Sequence, residues 1–233
     1  VGAVRMDEIM KYDVILDRIS QDIPFYRAML KTAQLQGTRV VNNPFWWSAD
    51  DKFFNYSLMH KLGIPIPKTV LLPTKEHPPE TNSQSMRNMV YPLPWDEVFS
   101  YIGFPAFLKP FDGGGWKNVY SINSAEEFFK AYDETGSICM TLQSGVQFEE
   151  YYRCYCIGKK HVRIMPYEPR NPHHRRYEAG FKPTPERLRE IEEYCIRICT
   201  ALGYDFNTVE FAVEKGVPAP SSVARRAHSS AST

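Results

Sequence analysis

FPAFLKPFDGGGWKNVYSI, Phe104 to Ile122, is the stretch on which the reading of the fold turns. An apolar run carries Lys109 at its end, Gly113, Gly114 and Gly115 follow as a turn, and a second apolar run starts just after Lys117. The pattern predicts a β-hairpin with a bare-backbone tip. Glycines pack no side chain and take positive φ at no steric cost, so their N–H groups can close around an anion. A lysine ammonium beside such donors supplies the full charge that amide dipoles lack, the combination a polyphosphate requires. An ordinary glycine hairpin with solvated lysines fits the same residues, so the flanking chain has to distinguish the two.

The flanks build a lobe around that hairpin. Asp96 to Tyr101 is predicted as a short helix ending at Gly103, and Ser124 with Glu127 has capping-box spacing at the start of a second helix. SICMTLQ, Ser137 to Gln143, is expected to leave the lobe as a strand. Upstream, NNPFWWSADDKFFNYSLMHKLGIPIPKTVLL predicts a helix with Ser48 as N-cap and Asp50 and Asp51 in the first turn, stopped by Gly63, Pro65 and Pro67. Lys52 rides near the start of that helix, against the macrodipole, which points to a nearby anionic ligand, to a simple pair with Asp51 or to a solvated lysine. Pro73 to Pro94 is proline-rich and polar, the composition of an irregular surface connection. Before all this, Tyr12 to Leu16 is expected as a short buried strand, Pro24 to Gln36 as a helix ended by Gly37, and RVVN as a further strand, an alternation that favours a parallel sheet.

Downstream, Tyr151 to Ile157 and His161 to Pro166 predict a strand pair joined by Gly158 to Lys160. The loop Glu168 to Tyr177 gathers Arg170, His173, His174, Arg175 and Arg176, either as a solvated basic loop or as a clamp for an anionic substrate. Pro185 to Leu202 is the clearest helix, with Leu188, Ile191, Tyr194, Cys195, Ile198, Cys199 and Leu202 on one apolar stripe that reads as core, and Gly203 closing it. In FNTVEFAVEKG, Glu210 is a carboxylate inside an otherwise apolar strand, so either an arginine or lysine pairs with it or it binds a cation.

Composition bounds the partners. The chain has 233 residues, 43% hydrophobic and 24% charged, with a formal net charge of +1. That is enough to bury a sizeable core, and no field favours nucleic acid or a membrane surface as partner. An odd count of 5 cysteines, all inside strand or helix patterns, predicts reduced thiols in a cytoplasmic protein. Cys154 and Cys156 share one face of a strand, and with no second pair at finger spacing they read as packing residues. No signal peptide or membrane span is expected, and the opening VGAVRMDEIM reads as lacking an upstream region.

In this order the motifs resemble the ATP-grasp superfamily, which includes glutathione synthetase, biotin carboxylase and ribosomal-protein glutamate ligases. The resemblance covers Tyr12 to Val217 and rests on NNP and DDK at a helix start, LGIPIPKT, FPAFLKPFDGGGWKNV, LQ, YYRCYCIG and NTVEFAVEKG. It implies an α+β fold of two lobes with a nucleotide cleft between them, preceded by a remnant of an N-terminal α/β domain. The implied divisions are 1–45 for the remnant, 46–95 for a helix and linker, 96–142 for the lid lobe, 143–218 for the C-terminal lobe and 219–233 for a tail. It implies ATP and Mg2+ as ligands, together with a small carboxylate and an amine, thiol or other nucleophile as substrates, and it allows an oligomer. Residue by residue, Lys52 and Lys109 resemble the lysines on the nucleotide phosphates, and Gly113, Gly114 and Gly115 the loop over the γ-phosphate, with Lys117 as an extra contact. Gln143 and Ser144 match the segment that meets adenine, Glu149 or Glu150 the ribose contact, Arg153 the arginine near an acyl phosphate, and Glu210 the first magnesium carboxylate.

One departure stands out. The family places a second acidic residue and an asparagine on the strand after the metal strand, whereas APSSVARRAHSSAST holds no Asp, Glu or Asn. The tail from residue 219 is therefore expected to be disordered, magnesium binding weak and turnover low. The resemblance implies an ATP-dependent carboxylate–amine ligase working through an acyl phosphate. A non-catalytic nucleotide-binding module of the same fold is the alternative.

Overall fold

The computed structural model describes residues 2–7, 10–17, 20, 23–45, 51–112 and 118–224. In chain order its elements are β1 (Val14–Leu16), α1 (Pro24–Leu35), β2 (Arg39–Val41), α2 (Lys52–Lys61), β3 (Thr69–Leu72), α3 (Trp95–Ile102), β4 (Ala106–Pro110), β5 (Tyr120–Ile122), α4 (Ala125–Asp133), β6 (Met140–Ser144), β7 (Glu150–Ile157), β8 (His161–Pro166), α5 (Pro185–Leu202), β9 (Phe206–Glu214) and β10 (Val217–Ala224). They fall into two compact units, 50–147 and 1–49 together with 148–233.

In the unit 50–147, antiparallel pairing gives the strand order β3-β6-β4-β5, so the predicted hairpin is present as β4 and β5. Its tip, with Gly113, Gly114, Gly115 and Lys117, lies outside the described residues. β6 does not merely lead out of the lobe, because it is a central strand with a neighbour on each side. Helix α4 starts at Ser124, whose hydroxyl accepts from the Glu127 N–H at 3.2 Å. The Glu127 carboxylate reaches back to the Asn123 N–H, one residue before the cap, rather than to the cap residue itself. Phe128 is fully buried with ring centroids 5.2 Å from Trp95, 5.1 Å from Phe99 and 5.4 Å from Tyr132. The Tyr132 hydroxyl donates to the Pro73 carbonyl at 2.6 Å, and burial pushes its pKa up to about 12.

The other unit holds the parallel pair β1-β2 and an antiparallel sheet of order β10-β9-β7-β8. The latter lays one face on α5, whose Ile191, Cys195, Ile198, Cys199 and Leu202 are buried. Fully burying an aliphatic side chain of this size is worth about 1.5–3 kcal/mol, so this stripe is the main apolar contribution of the helix. Cys154 and Cys156 on β7 meet Cys195 and Cys199, one helical turn apart on α5, as two neighbouring thiol pairs. The neighbouring thiol and burial push Cys195 and Cys199 well above the ordinary thiol range. Asn42 joins the first strands to this sheet by a reciprocal amide bond: Nδ2 donates to the Phe206 carbonyl at 2.7 Å and Oδ1 accepts from the Phe206 N–H at 2.8 Å.

The structure also differs from the sequence-based expectations at β1, in the divisions and at the tail. β1 is not buried: Tyr12, Val14 and Leu16 are each 59% exposed, because a two-stranded ribbon with α1 on one side shelters only the face of Ile15. The divisions also move. β3 belongs to the lid-lobe sheet, so residues 52–95 join 96–142 in one unit; β6 carries Gln143 and Ser144 into it as well, and 1–45 joins the C-terminal strands. Finally, the expected disorder from residue 219 fails at its start, since β10 pairs with β9 through Ala224. An edge strand needs ladder bonds on one side only and tolerates proline there, so Pro218 and Pro220 fit despite a composition that predicts no buried strand. Residues 225–233 lie outside the described residues.

The packed thiols carry a direct test. Because reaction requires a thiolate that can be reached, a thiol reagent at mildly alkaline pH should label only Cys139 in the native protein and all 5 cysteines in denaturant. Rapid native labelling of the four core thiols would contradict the packing of β7 on α5.

Candidate functional site

Within the unit 50–147, the start of α2 and the end of β4 bring Lys52 and Lys109 to one region. Asp51 caps α2: its carboxylate accepts from the Phe54 N–H at 2.8 Å. Ser48 and Asp50 lie outside the described residues. Lys52 is the first helical residue, and its N–H donates to the Phe111 carbonyl at 2.6 Å while its ammonium donates to the Asp112 carbonyl at 2.7 Å. One turn further along the same helix face sits Tyr56, 3% exposed.

Tyr56 meets Lys109. The Lys109 ammonium donates to the Tyr56 hydroxyl at 3.1 Å and to Gln143 Oε1 at 2.7 Å, and lies 5.2 Å from the centre of the Tyr56 ring. Register explains the second contact: Lys109 stands opposite Thr141 and Phe107 opposite Gln143, so Lys109 and Gln143 are diagonal neighbours on one face. Gln143 is itself 5% exposed and donates through Nε2 to Thr69 Oγ1 at 2.8 Å. Among the described residues no carboxylate pairs with Lys109, and the groups that aim its ammonium are neutral. Ser144 is bound through its N–H to the Lys68 carbonyl at 2.9 Å. Tyr56 and Thr69 were not evident as site residues from sequence, although the spacing of Tyr56 from Lys52 placed it on the same helix face.

In the other unit, β7 and β9 pair so that Arg153 faces Glu210 directly. Arg153 Nε lies 3.7 Å from Glu210 Oε1, with side chains 9% and 23% exposed. The Arg153 guanidinium also lies 5.6 Å from the centre of the Tyr167 ring and 6.0 Å from that of Tyr155. Burial works against its charge, but Glu210 and the surrounding tyrosines outweigh that effect and hold its pKa above the ordinary arginine value. The second Glu210 oxygen accepts from the Tyr151 hydroxyl at 2.8 Å, and that hydroxyl is 2.7 Å from Ser221 Oγ on β10. Of the two outcomes open for Glu210, pairing with arginine is therefore present. Tyr151 stands two residues before Arg153, on the same strand face, a signal that alternation alone could have supplied.

These donors do not suit magnesium. That ion takes near-octahedral oxygen ligands and is usually bound through carboxylates together with substrate phosphates. Here both oxygens of Glu210 are engaged, and the neighbouring protein donors are two hydroxyls. Among the described residues no group of three or more His, Cys, Asp or Glu is placed to hold a metal. Drawing Glu210 away from Arg153 would leave a buried guanidinium without its counter-ion, a loss of about 3–5 kcal/mol.

The remaining sequence-derived candidates have local partners. Glu150 accepts from the Tyr152 hydroxyl at 2.6 Å and lies 3.6 Å from Arg187 of α5, and the Glu149 N–H donates to the Val213 carbonyl at 2.8 Å. In the loop, Arg170 binds both oxygens of Glu168 at 2.7 and 2.6 Å, and Arg175 binds Glu178 at 2.8 Å. The side-chain bond to Arg170 lowers the Glu168 pKa. Arg176 donates to the Tyr167 hydroxyl and the Asn171 carbonyl. The loop thus neutralises much of its own charge, in keeping with a solvated basic loop.

No family model and no curated protein matches the sequence. Solved structures do match. A D-alanine--D-alanine ligase from Bacillus anthracis, complexed with ATP, aligns at a TM-score of 0.68 and 16% identity over 92% of this chain and 67% of its own. N5-carboxyaminoimidazole ribonucleotide synthetase from Thermus thermophilus aligns at 0.67 and 17%, over 93% and 55%. The ATP-grasp ligase PsnB, complexed with precursor peptide PsnA2 and AMPPNP, aligns at 0.56 and 14%, over 88% and 58%. The chain thus spans about 55–67% of the length of these structures, and it has an ATP-grasp fold.

The Lys109 network makes a stability prediction independent of any ligand. Lys109→Met leaves buried Gln143 Oε1 without its donor and should cost about 1–3 kcal/mol in urea unfolding. Lys52→Ala, at a more exposed contact, should cost only about 0.5 kcal/mol. Equal effects of the two substitutions would contradict the network as described.

Proposed function

We propose that the chain is an ATP-dependent carboxylate–amine or carboxylate–thiol ligase that works through an acyl phosphate. The observation that carries this reading is Lys109: an ammonium aimed by Gln143 and Tyr56 and paired with no carboxylate among the described residues, with Lys52 brought to the same end of β4. An ATP-grasp fold with two lysines so placed is suited to phosphate recognition, where charge neutralisation and positioning supply most of the catalysis.

In the proposed reaction a carboxylate oxygen attacks the γ-phosphorus of ATP and the bond from that phosphorus to ADP breaks. The attacking amine or thiol then forms a bond to the acyl carbon, phosphate leaves with the bonding pair, and the nucleophile's proton passes to solvent. Lys52 and Lys109 would offset charge on the phosphates, and Gly113, Gly114 and Gly115 with Lys117 would exclude water by closing over the terminal phosphate. Gln143 and Ser144 would meet the adenine, Glu150 the ribose, and Arg153 would face the acyl phosphate. Arginine suits that place because its fork matches the geometry of an oxyanion. No step is assigned to a divalent ion, since the donors around Glu210 do not suit one.

A second reading has its own support. The engagement of Glu210 by Arg153 and Tyr151 favours a module that binds nucleotide with little turnover. Both readings require ATP to raise the melting temperature, and the rise should vanish in Lys109→Ala. Release of ADP that depends on both an added carboxylate and an added amine or thiol would select the ligase, and stabilisation without ADP release would select the module. Unchanged melting of the wild-type protein in millimolar ATP would overturn both.

A further inference from the structure

We propose that Glu210 is the positioning counter-ion of Arg153, and not a ligand for a divalent cation. The inference rests on the reading above only in taking Arg153 as the anion-facing group of its unit. Strand alternation puts Tyr151, Arg153 and Tyr155 on one face of β7, and the β7–β9 register sets Glu210 straight across from Arg153. The bulge between Pro220 and Ser222 shifts the register of β10 next to Ser221. Ser221 Oγ there reaches the Tyr151 hydroxyl at 2.7 Å and the Glu210 main-chain carbonyl at 3.4 Å.

Each partner in this group constrains the next. Tyr151 fixes one carboxylate oxygen of Glu210, which leaves the other turned toward Arg153. At 3.7 Å the contact is an ion pair and not a hydrogen bond, and Arg153 Nε has no hydrogen-bond partner. Charge is therefore what Glu210 supplies. With its side chain 9% exposed, Arg153 depends on that charge, and no other carboxylate among the described residues forms an ion pair with it. A divalent ion on Glu210 would compete for the same oxygens and set two more positive charges beside a buried guanidinium.

The test uses the whole 233-residue protein with two spectroscopic measurements and no turnover. Manganese alone, titrated against the wild-type protein and followed by electron paramagnetic resonance, should show no saturable site below millimolar concentration. Glu210→Gln should change any residual affinity by less than about twofold. A saturable site that disappears in Glu210→Gln would overturn the proposal.

The second measurement is the Arg153 Nε–H resonance, identified by its loss in Arg153→Lys. It should move in Glu210→Gln and in Tyr151→Phe but stay in place when millimolar magnesium is added to the wild type. A resonance that ignores Glu210→Gln, or one that follows magnesium, would overturn the proposal. The wild-type measurements remain decisive if a variant fails to fold. They are also separate from the ATP-induced melting shift, so loss of the nucleotide reading would leave the role of Glu210 to be decided on its own result.

Discussion

The hydrogen bond from Lys109 to Gln143 is the constraint on which the candidate nucleotide site depends. A free lysine is a hydrated point charge on a flexible stem, and holding it in one direction costs rotamer entropy. The β4–β6 register meets that cost by setting a buried amide acceptor diagonally across from the lysine, with Thr69 on β3 fixing the amide in turn. Tyr56 then closes the network from α2, the helix whose first residue is Lys52. Three strands and a helix thus converge on one ammonium, and none of its hydrogen-bond acceptors cancels its charge.

The other unit treats its cation in the opposite way. Arg153 is deeply buried and paired with a carboxylate, whereas Lys109 is half-buried and, among the described residues, meets only neutral acceptors. A planar guanidinium tolerates desolvation when a carboxylate faces it, and the tyrosine rings beside Arg153 add attraction at little hydration cost. The same pairing makes the surroundings of Glu210 a poor place for magnesium. Within this unit, one Glu210 oxygen faces Arg153 while the Tyr151 hydroxyl, itself beside Ser221 Oγ, binds the other.

Much of this was legible from sequence where the signal was local. The boundaries of α5 follow from Pro185, an apolar stripe and Gly203, the last of these at φ 67° as the left-handed cap requires. The hairpin followed from two apolar runs around a glycine turn. β3 was hidden because it lies between the prolines that read as the stop of a helix, Pro65 and Pro67, and the connection that starts at Pro73, and nothing local marks Thr69 as the neighbour of Gln143. β10 was hidden for a different reason: composition reports whether a segment can bury apolar surface, whereas an edge strand is held by its ladder to β9. Glu210 needed a partner on physical grounds, but only strand register identifies that partner as Arg153.

The most direct measurement of the central claim is the side-chain amide resonance pair of Gln143 during a titration with ATP. If phosphate binds at Lys109, the ammonium must reorient toward the new anion, and the Gln143 amide should shift in proportion to occupancy while Asn207, buried in the other unit's core, stays in place. A Gln143 amide that stays unchanged at saturating ATP would contradict a role for Lys109 in nucleotide recognition.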